Sequence, residues 1–130
     1  GLKARVTAAG LADRILFVGE HTNINDWYRA LDLFIAPQRW EGFGLTPLEA
    51  MSTGVPVIAT DVGAFPELLV DDGMIARDSL DAMAEMAARY MDDTPGRDAL
   101  ADAGLAHILE DFQINMEAKR IAAVYRSTRY

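Results

Sequence analysis

Apolar positions along this chain follow two rhythms. Compact runs at Ile15–Val18 and Leu33–Ala36 have the length of short strands, and Pro56–Thr60 is apolar on both faces, as strands of a parallel sheet are. Between and after them the spacing turns helical. Residues 1 to 10 read as the end of a helix stopped by Gly10, and Asn25 or Asp26 reads as the N-cap of a short helix through Trp27 to Leu31. A helix from about Thr46 to Thr53 follows, then a short one from Ala64 to Val70 with Pro66 near its start. Asp71-Asp72-Gly73 turns into a brief strand at Met74–Ala76. Three helices close the chain. The first carries Leu80, Met83, Ala84, Ala87, Tyr90 and Met91 on one face, with Asp78 or Ser79 as its cap. Thr94-Pro95 opens the second, lined by Ala101, Leu105, Ile108 and Phe112; Ala118, Ile121, Ala122 and Tyr125 form the stripe of the third. Strands alternating with helices predict a Rossmann-like three-layer α/β/α fold with a parallel sheet. Ligands of such sheets bind at the carboxyl ends of the strands, and Ala36 is one such end.

The loop that leaves Ala36 carries the chemistry. It runs APQRWEGFGLTPLEAM, with Gly42 and Gly44 inside it and two carboxylates, Glu41 and Glu49, bracketing the loop and the first turn of the next helix. Glycines let backbone amides approach a ligand closely. The helix start adds free N–H groups and the positive end of its dipole, a ready anion site. Carboxylates accept hydrogen bonds from paired hydroxyls of a sugar or ribose. Phosphate flanked by hydroxyl-rich rings describes a nucleotide-sugar.

A plainer reading of the same residues stands beside this one. Thr46-Pro47-Leu48-Glu49 is a capping box, with Thr46 as N-cap and Glu49 reaching back to its amide. Gly54 reads as a helix C-terminal residue, Pro37 and Trp40 as loop packing, Glu41 as a solvated carboxylate. The GFG run is not a dinucleotide fingerprint, because Pro47 stands where the third glycine would be.

The run EGFGLTPLEAM, with Glu41 and Glu49 separated by seven residues and followed by GVPVIAT, resembles the signature of the retaining glycosyltransferases of family 4, built on the GT-B architecture of two Rossmann-like domains. LADRILFVG at 11–19, LDLFIAP at 31–37, GAFPE at 63–67 and Ala123-Val124-Tyr125 stand where that family has counterparts, so the resemblance covers most of the chain. APQRWEGFGLTPLEAM is similar to the branch that adds mannose to lipopolysaccharide core. The resemblance implies that Glu41 contacts hydroxyls of the transferred sugar as the catalytic residue. It also implies that Gly42, Phe43, Gly44 and Leu45 offer amides to the donor and that Glu49 holds the ribose diol. Arg39, Thr46 and Glu67 are secondary candidates, Glu67 being read first as a cap or salt-bridge partner. The donor implied is GDP-mannose, with a UDP-sugar as the other option. No cofactor and no bound metal are expected, and the acceptor is a glycan or lipid-linked sugar. A cytoplasmic location, peripheral at the inner membrane face, also follows from it. The alternative is a non-catalytic nucleotide-sugar-binding or regulatory module on the same fold.

Composition trims the options. Twelve basic and 20 acidic residues give a net charge of −8, which disfavours non-specific nucleic-acid binding and raises the question of how an anionic donor is held. Zero cysteines exclude disulfide and thiolate chemistry, and two histidines, His21 and His107, are too far apart to suggest a metal site. His107 falls in a helical pattern and reads as structural. The chain begins without Met, as an excised piece does. The family's C-terminal domain opens with two βα units, the first bearing an Arg and a Lys for the donor diphosphate, and nothing here corresponds to them. The expectation is an incomplete donor domain that is inactive alone, its open sheet edges completed by a separate segment or by self-association.

Overall fold

A computed structural model describes residues 1–69, 74–76 and 79–128. The fold is organised by strand β2, Val57–Thr60, whose Val57, Ile58 and Ala59 are all fully buried. Successive strand residues point to opposite faces, so the sheet is covered on both sides here. Strand β1, Phe34–Ala36, pairs with β2 in parallel, Phe34 opposite Val57 and Ala36 opposite Ala59. Strand β3, Ile75–Ala76, lies parallel on the other side of β2, giving the order β1-β2-β3.

Helices α1 (Leu2–Ala8) and α2 (Ile24–Arg29) precede the sheet, α3 (Leu45–Ser52) and α4 (Phe65–Leu68) flank β2 in sequence, and α5 (Leu80–Asp92), α6 (Thr94–Asp111) and α7 (Ile114–Ser127) follow it. The largest fully buried side chains are Phe65, Met51, Ile58, Met74, Val57 and Pro47. The core thus sits between β2, α3 and α4. Gly104 of α6 is buried against Met51, and a Cβ there would lie 3.0 Å from the Met51 side chain. A small residue at this point lets α6 close onto α3.

Several expectations hold at residue level. Gly10 follows α1 at φ +68 and Gly54 follows α3 at φ +77, each donating its amide to a carbonyl of the last turn. Ser79 caps α5 by accepting from the Ala82 amide at 3.1 Å, whereas Asp78, like Val70 and Asp71-Asp72-Gly73, lies outside the described residues. His107 lies within helix α6, as its pattern implies, 3.2 Å from Asp111 and edge-on to Phe112.

Other expectations are corrected. No strand forms at Ile15–Val18: no ladder partner reaches this segment among the described residues, and Leu16 is 80% exposed. A run of apolar residues becomes a strand only when a neighbour supplies its hydrogen bonds. Helix α2 starts at Ile24 with Asn23 in the N-cap position, its side chain donating to the Asp26 carboxylate at 2.8 Å rather than accepting from a helix amide. Thr94-Pro95 does open α6, and the cap, which the sequence reading did not name, is Asp93, accepting from the Gly96 amide at 3.0 Å. The inward face of α6 carries Leu100 and Gly104, with Ala103 and Ile108 packed beside them; the rotation follows from the close approach at Gly104. Leu80 and Met91 are exposed, and α7, which lies against α6, buries none of its residues.

Candidate functional site

The loop from Pro37 to Gly44 is held from three directions. At its start, the Thr60 hydroxyl at the end of β2 donates to the Gln38 carbonyl at 2.6 Å, tying the carboxyl ends of β1 and β2 together. At its centre, Gly63, with φ +55, lies so close to the Glu41 carbonyl that a Cβ would overlap it. At its end, Gly44 adopts a left-handed conformation, φ +99 and ψ 55, and a Cβ there would enter the Phe65 ring. Both glycines are needed on two counts, backbone angle and space. They place the loop at the carboxyl edge of the sheet, against the start of α4.

Gly44 also decides where α3 begins. The left-handed residue turns the chain so that Leu45 is already helical, which puts Thr46 inside the first turn rather than at the cap. No side chain caps α3, so the capping box is not formed. The Glu49 carboxylate goes elsewhere: its Oε2 accepts from the Tyr28 hydroxyl at 3.0 Å. Tyr28 is only 5% exposed and packs edge-on against Phe34 of β1, ring centroids 5.6 Å apart. Burial, helped by the Glu49 hydrogen bond and charge, pushes the Tyr28 hydroxyl up to about 12, so it remains a donor at any working pH.

Glu41 is half-buried, and its Oε1 accepts from the Gly42 amide at 2.9 Å. That amide is therefore occupied, while Phe43, Gly44 and Leu45 lie at the positive end of α3, and no carboxylate accepts from their amides among the described residues. Trp40 lays its ring edge over Gly42 of the loop, 3.9 Å from where a Cβ would stand, and is otherwise 81% exposed, as Phe43 and Leu45 also largely are. Arg39 is exposed and makes no ion pair among the described residues. Glu67 neither caps a helix nor joins a salt bridge among the described residues. It lines a cavity of about 550 Å³ together with Phe43, His107, Asp111, Phe112, Glu117 and Arg120. The fold brings Phe43 and Glu67 to that cavity, with Glu41 and Glu49 outside its lining.

Tyr28 and Thr60 escape the sequence reading. A signal for Tyr28 was present, since a tyrosine on the inward face of a short helix needs a partner for its hydroxyl. Which partner it finds is a long-range fact.

The family model for glycosyl transferases group 1 matches residues 1–93. The chain is 65% identical over 131 residues to the lipopolysaccharide core biosynthesis mannosyltransferase LpsB of Rhizobium meliloti (strain 1021), covering 97% of this chain and 37% of that protein. It is 46% identical to LpcC of Rhizobium leguminosarum bv. viciae, a mannosyltransferase of the same description, with the same coverage. The chain thus spans about a third of the length of these curated relatives. Among solved structures, Anabaena Alr3699/HepE in complex with UDP superimposes with a TM-score of 0.85 at 28% identity, covering 97% of this chain and 36% of that one. The C-terminal domain of the group 1 glycosyl transferase LpcC from Francisella tularensis superimposes with a TM-score of 0.74 at 34% identity, covering 87% of this chain and 61% of that one. Sequence, Rossmann-like fold and GT-B structural neighbours agree: the chain belongs to the group 1 glycosyltransferases.

Proposed function

We propose that this chain is the main part of the donor-binding, C-terminal domain of a retaining mannosyltransferase that extends lipopolysaccharide core from GDP-mannose without a bound metal. The observation that carries the reading is where the Glu49 carboxylate goes. It does not cap α3, so the capping account of the second glutamate lapses; instead it accepts from the Tyr28 hydroxyl. The relatives LpsB and LpcC support the acceptor and the sugar, and the UDP complex of HepE supports nucleotide binding on this fold.

In this reading Glu41 meets hydroxyls of the transferred sugar, and Glu49 meets the ribose diol. The diphosphate lies across the amides of Phe43, Gly44 and Leu45, where the α3 dipole and unpaired N–H groups offset its charge as the sugar becomes oxocarbenium-like. Besides Arg39, Arg120 lines the cavity beside Phe43; the further cations that a chain of net charge −8 needs are assigned to residues outside this chain. The same missing residues supply strands beside β1, where Ile35 is 42% exposed, and beside the unpaired run at 15–18.

Turnover of GDP-mannose by the full-length protein tests the proposal. Glu41→Gln should lower kcat about a hundredfold or more while GDP still binds, and the product of the unchanged enzyme should keep the donor's anomeric configuration by NMR. Unchanged turnover in Glu41→Gln would instead favour a binding module, and preference for UDP-glucose would reassign the donor.

A further inference from the structure

Glu49 is exposed, and an exposed glutamate on a helix ordinarily samples many rotamers. Here one of its oxygens accepts from the hydroxyl of a buried ring. Tyr28 is buried, wedged edge-on against Phe34, and sits on α2, 21 residues before Glu49. The bond uses Oε2 alone, and Oε1 has no hydrogen-bond partner among the described residues. A carboxylate has room for about four hydrogen bonds, so one donor leaves most of its capacity open.

We propose that Tyr28 is a positioning residue for the nucleotide: by holding Oε2 of Glu49 it fixes the carboxylate in the orientation that presents Oε1 to the ribose 2′,3′-diol. This rests on the ribose role assigned to Glu49 above. The physical gain is preorganisation. A carboxylate already locked in one rotamer loses less freedom when the diol arrives, so more of the hydrogen-bond energy appears as affinity. Tyr28 also joins α2 to α3, and a purely structural tie is the competing account; the two differ in what they do to a ligand lacking the diol.

The test is isothermal titration of the full-length protein with GDP and UDP and with their 2′,3′-dideoxy counterparts. Tyr28→Phe keeps the ring and its packing on Phe34 and removes only the hydroxyl. The expected result is about tenfold weaker binding of whichever ribonucleotide the protein prefers, with dideoxy binding unchanged. In turnover, donor KM should rise by a similar factor and kcat stay within about twofold. Equal loss for ribo- and dideoxynucleotides, or no loss at all, overturns the proposal. Glu49→Gln separates this from the reading beneath it. If Glu49→Gln weakens ribonucleotide binding and Tyr28→Phe does not, the positioning role fails alone; if Glu49→Gln binds as the unchanged protein does, the ribose role fails and the positioning role with it.

Discussion

Residues 15–18 and residues 57–60 are alike on paper and opposite in the folded chain. Each is a short apolar run closed by a turn. Val57, Ile58 and Ala59 are fully buried on a strand with a paired neighbour on each side, whereas Ile15, Leu16, Phe17 and Val18 have no strand beside them among the described residues and are 39% to 80% exposed. The difference lies in what each run finds next to it. A run becomes structure when both its backbone and its side chains are satisfied, and only the second requirement is visible in a hydrophobic pattern.

The sharpest way to break this contrast is to truncate one aromatic in each region. Phe65→Ala empties the centre of the core and should cost about 3–5 kcal/mol in urea unfolding. Phe17→Ala removes a ring that is 39% exposed and lies 5.5 Å from the Lys3 ammonium. It should cost less than about 1 kcal/mol. Similar losses at the two sites would mean that the run at 15–18 is packed in solution after all.

Glycines allow a finer cut. Gly10 in the exposed region and Gly63 beside the loop both have positive φ, +68 and +55. A Cβ at Gly10 meets nothing within 4 Å, whereas at Gly63 it meets the Glu41 backbone. Gly10→Ala should therefore cost only the backbone term, about 1 kcal/mol, and Gly63→Ala about 2–3 kcal/mol. Because the clash displaces Glu41, Gly63→Ala should also lower turnover of the full-length protein, and a variant that is destabilised yet fully active would show that Glu41 tolerates the shift.

The same contrast explains what could be read from residues alone. Strands β1 and β2, helix α3 and the glycine loop were legible because each is specified locally, by an apolar run, a turn glycine or a proline near a helix start. Ser79 was legible as a cap for the same reason. The unpaired run at 15–18 was not, since pairing depends on a neighbour. Nor was the inward face of α6, which turns on Gly104 meeting Met51. In the site, Glu41 and Glu49 stood out by spacing, but the capping box and the Tyr28 bond competed for the same Glu49 carboxylate. Gly44 settled that competition through a backbone conformation that starts α3 two residues earlier than the Thr46 cap requires.

Helix α7 carries the comparison to its weakest contacts. The core is held by apolar burial, but α7 buries none of its residues and joins α6 through polar groups. Arg120 donates to the Asp111 carboxylate at 2.7 Å and to its carbonyl at 3.2 Å. The Arg120 hydrogen bond, with smaller help from the charges of Arg120 and His107, holds the Asp111 carboxyl below its usual range. A lowered carboxylate pKa stabilises the fold above the pKa of the unfolded chain and loses that contribution as pH falls through the lowered value. Asp111→Asn should therefore leave a small stability deficit near neutral pH that vanishes in acid, and 0.5 M salt should shrink it, because both partners are at the surface. Thermal melts of the two proteins at neutral and acid pH, with and without salt, would show this. A deficit unchanged by acid and by salt would mean that Asp111 holds the α6–α7 corner by packing, and that the polar edge of this domain is built more like its core than the contacts suggest.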